Sequence, residues 1–145
     1  MPDRNENPAI ACWRNKMDLN QLSSKIIGAA ITVHKDLGPG LLESVYQLCM
    51  TLELENIGIR VQGEVAIPVY YRDHIIQEVG FRIDLLIEDT IIVELKSVEK
   101  IQEVHKKQLL TYLRLAKKPL GLLINFNEVL LKDGIIRIIN SPLES

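Results

Sequence analysis

Two neighbouring apolar segments decide the fold: Phe81-Arg-Ile-Asp-Leu-Leu-Ile87 and Ile91-Ile-Val-Glu-Leu-Lys96. Both have the composition of covered β-strands, yet they carry Asp84, Glu94 and Lys96. Because side chains alternate between the two faces of a strand, Glu94 and Lys96 share one face, about 6.5 Å apart. Charge is costly to bury, so this polar face is a candidate site.

The spacing between the two segments predicts a hairpin. If Glu88-Asp89-Thr90 forms a three-residue loop, Ile87 pairs with Ile91 and Asp84 comes directly opposite Glu94. Opposed Cβ atoms lie about 5 Å apart, where two like charges are destabilising unless a proton or a cation lies between them. The same register gathers six apolar residues on the opposite face: Ile83, Leu85, Ile87, Ile91, Val93 and Leu95.

Two facing carboxylates suit a divalent metal, and hard oxygen ligands favour Mg²⁺ or Mn²⁺. Lys96 beside them could orient a water molecule or stabilise negative charge on a phosphate. The alternative is a solvated edge hairpin, on which acids and lysines discourage aggregation. The apolarity of both segments favours the covered strands, and with them the site.

The composition indicates one intracellular domain. A chain of 145 residues with 47% hydrophobic content can bury a single core. Cys12 and Cys49 lack the spacing of a disulfide framework or a zinc site, and neither a membrane-spanning run nor a secretory signal is visible. We expect a cytoplasmic protein, with residues 1–16 as a flexible tail and residues 17–145 as a single domain.

The charge distribution is uneven although the net charge is only −2. Seven cations and two anions occupy the segment from Lys96 to Lys118. Such a basic stripe beside a carboxylate cluster suits phosphodiester chemistry. An equally good interpretation is a solvated helix face, on which Glu99 and Glu103 pair with neighbouring lysines.

Helical periodicity predicts three helices. The first covers residues 19–37 and ends at Gly38-Pro39-Gly40, and the third covers residues 102–116. The second covers residues 41–56, and its spacing predicts four residues that face inward: Leu42, Val45, Leu48 and Leu52.

Alternation and turn residues predict the strands. We expect a strand over residues 65–71, a long partner over 75–87, and further strands over 91–96 and 120–125. Asp133-Gly134 predicts a final hairpin. This order of elements indicates an α/β fold, with helices packed on a mixed sheet.

Four more residues are candidates for chemistry or support. Glu43 follows the Gly-Pro-Gly break, where the helix dipole alone favours an acid, and it could also deliver a further carboxylate ligand. Tyr46, one turn later, could hold Glu43 or simply pack. Gln108 and Tyr112 share a helix face and could bind phosphate or orient Lys96, although such residues are commonly found at the boundary of an amphipathic helix.

These residues fall into ordered motifs: Gly40-Leu-Leu-Glu43-Ser-Val-Tyr46, Asp84, Glu94-Leu-Lys96 and Gln108-Leu-Leu-Thr-Tyr112. Together they closely resemble the GxxExxY family of the PD-(D/E)XK nuclease superfamily, over roughly residues 19–140. The resemblance implies a restriction-endonuclease-like core, in which a central mixed β-sheet is flanked by helices and a divalent-metal site lies at a bend between two strands.

For the site, the resemblance implies Mg²⁺ or Mn²⁺ held by Asp84, Glu94 and the backbone carbonyl of Leu95, with Glu43 as an additional ligand. The predicted catalytic residues are Glu43, Asp84, Glu94 and Lys96. The residues predicted to bind substrate or to support the lysine are Tyr46, Gln108 and Tyr112.

The sequence therefore predicts a metal-dependent nuclease that hydrolyses phosphodiester bonds of nucleic acid, with DNA preferred to RNA and no membrane partner. A homodimer is a further expectation, because a small domain gains grip on its substrate by pairing. The alternative function is a non-catalytic adaptor that binds nucleic acid or protein on a nuclease-like scaffold.

Overall fold

The computed structural model of the protein describes residues 18–141, so the tail predicted for residues 1–16 lies outside the described part of the chain. We number its elements in chain order. They are α1 (Leu19–Leu37), α2 (Glu43–Asn56), β1 (Val61–Tyr71), β2 (His74–Ile87), β3 (Ile91–Lys96), α3 (Glu103–Ala116), β4 (Leu120–Asn125), a 3₁₀ turn (Leu131–Gly134) and β5 (Ile135–Ile139).

The five strands form one mixed sheet in the order β1-β2-β3-β4-β5. Strand β3 is antiparallel to β2 and parallel to β4, while β1 and β5 each pair in antiparallel fashion with their neighbour. Two adjacent parallel strands need a crossover connection, and α3 supplies it between β3 and β4. The predicted α/β fold, a central mixed sheet flanked by helices, is confirmed.

Both faces of the sheet bury apolar side chains. On the face that we call the α1/α2 face, Val93 and Leu122 pack with Ile26 of α1 and Met50 of α2. On the opposite, α3 face, a smaller cluster is formed by six buried residues: Ile83, Leu86, Ile92, Leu109, Leu113 and Leu123. Strand β3 is therefore covered on both sides, as its nearly continuous apolar sequence predicts.

Local capping sets the bounds of α1. Asp18 accepts a hydrogen bond from the Gln21 backbone N–H at 2.7 Å, and the Gln21 side chain accepts one from the Asp18 N–H at 3.0 Å, which is a capping box. At the other end the Gly38 N–H donates to the His34 carbonyl at 2.8 Å, and Gly38 has a φ of +70° that favours glycine. The predicted stop at the Gly-Pro-Gly segment is confirmed.

The predicted orientation of α2 is wrong. Its buried residues are Tyr46, Met50 and Leu54, whereas the four residues predicted to face inward lie on the solvent side of the helix: Leu42, Val45, Leu48 and Leu52. Both sides of α2 carry large apolar side chains, so periodicity alone could not choose between them.

The predicted hairpin at Asp133-Gly134 is also wrong. These residues end the 3₁₀ turn, and β5 pairs instead with β4, Leu123 being opposite Ile136. Pairing along β4 satisfies the backbone of five residues of β5, more than a short local hairpin could.

No helix within residues 18–141 is both long and apolar enough to cross a lipid bilayer.

Candidate active site

The hairpin between β2 and β3 has the predicted register. Ile87 pairs with Ile91 across a three-residue loop, in which Glu88 and Asp89 have φ values of 50° and 53°. The backbone ladder continues to the pair Leu85–Val93, just before Asp84 and Glu94. The predicted odd loop is thus confirmed.

The pairing of β1 with β2 is interrupted at Asp84. Gly63 pairs with Leu85 and Val65 with Ile83, but the intervening Glu64 has a φ of 51° and no ladder partner. On the N-terminal side of this interruption, Ile83 packs into the α3-face cluster. Its predicted place beside Leu85 on the α1/α2 face is therefore wrong. A local irregularity of this kind re-aims side chains, which is why alternation fails at Ile83.

At Asp84, side-chain hydrogen bonds take the place of backbone pairing between β2 and β3. The Leu95 N–H donates to Asp84 Oδ2 at 2.8 Å, and the Asp84 N–H makes a longer contact of 3.4 Å with Glu94 Oε1. Each acid is therefore held by the backbone of the opposite strand. These contacts orient the two carboxyl groups toward each other.

Glu94 is buried, with only 8% of its surface exposed. Burial first, then the negative charge of Asp84 and a hydrogen bond with its carboxyl group, raise the pKa of Glu94 from 4.5 to about 9. The positive charge of Lys96 acts in the opposite direction, which places the lysine within electrostatic reach. At neutral pH the metal-free pair therefore retains a proton between two carboxyl groups.

Tyr112 and Gln108 of α3 approach the acid pair from above the sheet. Burial and the charges of Glu94 and Asp84 raise the pKa of Tyr112, while a hydrogen bond with the Gln108 side chain lowers it. The Tyr112 ring stacks on Phe81 of β2, with ring centroids 4.0 Å apart. The two helix residues predicted from their spacing are thus grouped with the acids.

Tyr46 holds the loop before α2. Its ring is fully buried and stacks on Phe126 at 4.2 Å, and its hydroxyl donates to the Gly38 carbonyl at 2.6 Å and accepts from the Leu41 N–H at 3.1 Å. Ser97, next to Lys96, donates from Oγ to the Leu41 carbonyl at 2.9 Å. These bonds tie the Gly-Pro-Gly loop to the end of β3.

Glu43 is exposed in the first turn of α2. Within residues 18–141 there is no group of three or more acidic, histidine or cysteine side chains that could hold a metal, so Glu43 does not form such a group with Asp84 and Glu94. Its role as an additional ligand, like that of the Leu95 carbonyl, stays a prediction.

Asn125 is a supporting residue that was not predicted from the sequence. It lies at the end of β4 opposite Lys96, is fully buried, and accepts from the Val98 and Asn127 N–H groups while its amide donates to the Val98 carbonyl at 2.9 Å. It therefore shapes the chain that leaves Lys96. The sequence does carry a signal for this role, because a polar residue ends the otherwise apolar strand β4.

The basic stripe is partly paired. Lys106 contacts Glu103 at 3.0 Å, which agrees with the solvated-face interpretation for this lysine, and Lys118 contacts Asp89 of the β2–β3 loop at 3.0 Å. Further along α3, Arg114 and Lys117 line a cavity of about 430 Å³ between the helix and the β1–β2 hairpin, together with Pro68, Tyr70, Asp73 and Leu115.

Comparison with known families matches residues 20–138 to the PD-(D/E)XK nuclease superfamily. The chain belongs to the PD-(D/E)XK nuclease superfamily. The match covers strands β1 to β4, all but the last residue of β5, and Asp84, Glu94 and Lys96. No match is found among curated proteins or among solved structures.

Nucleases of this superfamily generally use divalent metals and act on nucleic acid. The acid pair fits such an ion, since two carboxyl groups that retain a proton offer hard oxygen ligands where a cation could replace that proton. Magnesium sites often need no more than one or two protein carboxylates, with water completing the coordination.

Proposed function

We propose that the protein is a Mg²⁺- or Mn²⁺-dependent nuclease that hydrolyses phosphodiester bonds at Asp84, Glu94 and Lys96. The observation that carries the proposal is the contact of the half-buried Asp84 with the buried Glu94, with a lysine on the same strand face as Glu94. Burying an acid beside a second acid costs several kcal/mol, and a bound cation would offset that cost.

In this proposal Asp84, Glu94 and the Leu95 carbonyl hold the metal, with Glu43 as an additional ligand. The ion would neutralise charge on the phosphate as the bond to it is attacked. Lys96 positions the attacking water and attracts the phosphate by its own charge. Tyr112 keeps its proton, since its pKa is raised, and can donate a hydrogen bond to a phosphate oxygen while Gln108 orients the hydroxyl.

We further propose that the nucleic acid runs from the acid pair toward the cavity beside α3. Arg114 and Lys117 would contact phosphates there, and the exposed ring of Tyr70 would stack on a base. Phe81 and Tyr112 lie between the acid pair and that cavity, because Tyr112 is one turn before Leu115 on α3. Preference for DNA over RNA, and action in the cytoplasm, stay predictions from the sequence.

Membership of the GxxExxY family within the superfamily is part of the proposal. Gly40, Glu43 and Tyr46 have the spacing that names that family. The hydrogen bonds of Tyr46 to both ends of the Gly-Pro-Gly loop supply a structural reason for a tyrosine at the last position.

The test is cleavage of labelled DNA and RNA, each single-stranded and duplex, with Mg²⁺ or Mn²⁺ and with EDTA. We expect cleavage that EDTA abolishes, and its loss in Asp84→Asn. Glu99→Gln, which changes an exposed acid near the site, is the matched control and should cleave like the wild type. Activity that persists in both EDTA and Asp84→Asn would refute the assignment.

A non-catalytic adaptor is the second candidate. It is favoured by the acid pair being satisfied without metal, through the Leu95 N–H and the shared proton. Calorimetric titration with Mn²⁺ separates the two: binding that disappears in Glu94→Ala supports the nuclease, and nucleic-acid binding that needs no metal, without cleavage, supports the adaptor.

A further inference from the structure

Helix α2 presents a row of apolar side chains to solvent. We define the α2 stripe as Val45, Leu48 and Leu52 of α2 together with Leu41 of the loop that precedes the helix. Leu48 and Leu52 are 68% and 71% exposed, although Tyr46, Met50 and Leu54 on the other side of the helix are fully buried. A helix that is apolar on both sides is normally covered on both sides.

The spacing of the α2 stripe is that of a helix-pairing seam. Within α2, Val45, Leu48 and Leu52 advance by three and four residues, the repeat that places side chains along one line of contact with a second helix. The residues that flank the line are Ser44, Cys49 and Thr51, all uncharged. Flanking charges are what select a different partner, so their absence allows an identical helix to pair.

Charge also indicates the direction of pairing. Glu55 continues the line of the stripe at the C-terminal end of α2. In a parallel pair two copies of Glu55 would face each other, whereas in an antiparallel pair they lie at opposite ends of the seam. An antiparallel pair also places Leu41 against Leu52 at both ends.

The exposed area matches that arrangement. With Leu42 and Ile57 at its ends, the stripe exposes apolar surface on the order of 500 Å², the size at which a patch marks an interaction site. A standard interface buries about 800 Å² per partner, of which roughly two-thirds is apolar in homodimers. The stripe therefore supplies the apolar core of one such interface.

We propose that the protein forms a twofold homodimer in which the α2 stripes of two copies pack against each other in antiparallel orientation.

The test is the mass in solution, measured by sedimentation velocity across about 1–100 µM. We expect the wild type to reach twice the chain mass of 16.5 kDa. Leu48→Glu should halve the mass with an unchanged circular dichroism spectrum, because the side chain is exposed in the single chain. Val104→Glu on α3, where the native side chain is 64% exposed, is the matched control and should leave the dimer intact.

Cross-linking tests the orientation. In a background with Cys12→Ser and Cys49→Ser, a mixture of Leu41→Cys and Leu52→Cys proteins should give a disulfide-linked dimer on oxidation, and each protein alone should not. A wild type that stays monomeric, a dimer that survives Leu48→Glu, or links formed by either protein alone would overturn the proposal. These readouts do not involve cleavage, so they stand apart from the proposed activity.

Discussion

The two faces of β3 bury different chemistry. On the α1/α2 face Ile91, Val93 and Leu95 join a purely apolar cluster. On the α3 face Ile92 is apolar, but the next residue on that side is Glu94, held against Asp84. One six-residue strand thus supports the fold on one side and carries the candidate chemistry on the other.

The difference between the two faces shows where a protein can bury a carboxyl group. The α1/α2 face is sealed by two helices and has no room for an unpaired charge. The α3 face is covered by one helix, and at Tyr112 and Gln108 that helix offers polar atoms instead of leucine. The buried Glu94 and the half-buried Asp84 are tolerated there because backbone N–H groups and a shared proton satisfy them.

The largest expected effect is at Lys96. If the polar face carries the chemistry, Lys96→Met should lower kcat by about 10²–10³-fold, because a positive charge beside the reacting phosphate is lost. Unfolding by urea should change little, since Lys96 is only half-buried. Single-turnover cleavage measures the effect, with Lys100→Met as control. Equal rates for the two variants would contradict the role of the lysine.

The apolar face should respond in the opposite way. Ile91→Ala removes a fully buried side chain and should lower the free energy of unfolding by about 2–5 kcal/mol. Cleavage per folded molecule should stay near that of the wild type, because the residue faces away from the acids. Urea unfolding and cleavage assays on the same sample measure both quantities. A large loss of kcat in the folded fraction would show that the two faces are not independent.

Stability of the metal-free protein should fall as pH rises. The pKa of Glu94 is about 9 in the folded chain and 4.5 as the ordinary value, so the folded state binds the proton more tightly. This contribution is complete below about pH 4.5 and is lost as pH rises to about 9, by about 3 kcal/mol between pH 6 and pH 8.

Glu94→Gln should remove that slope, because it has no proton to lose. Urea unfolding in EDTA at several pH values compares the two proteins, and Glu99→Gln serves as the exposed control that keeps the wild-type slope. Parallel stability curves for the wild type and Glu94→Gln would show that Glu94 titrates normally.

The smallest effect is expected at Tyr112. Tyr112→Phe keeps the stacking on Phe81 but removes the hydroxyl that Gln108 binds, and should lower kcat by about tenfold with little change in KM. Steady-state kinetics separate the two parameters. A rise in KM alone would instead make the tyrosine a substrate-binding residue.

The sequence predicted the acid pair because one physical requirement limits the register: charges on a covered strand must share a face. It could not predict the orientation of α2, where Tyr46, Met50 and Leu54 compete with an equally apolar stripe. On the buried side the Tyr46 hydroxyl also bonds to Gly38 and Leu41 of the preceding loop, which the spacing of apolar residues does not reveal.

Long-range pairing explains the other differences. The sequence near Asp133-Gly134 contains a good local turn, yet β5 pairs with β4, whose six residues are all buried. Ile83 follows the rule of alternation in the sequence, but the left-handed backbone of Glu64 on the neighbouring strand breaks it. Neither effect can be predicted from residues close in the chain.

The three-residue loop at Glu88–Thr90 has a consequence for the gene. Its length sets the parity of the hairpin, so the loss of a single codon there would turn every side chain of β3 to the opposite face relative to β2. Substitutions in the loop can break individual contacts, such as that of the Glu88 carboxylate with the Arg60 N–H, but they leave the parity unchanged. We therefore expect natural variants of the protein to keep the number of residues in this loop more strictly than their identity. Most surface loops, in contrast, tolerate insertions and deletions.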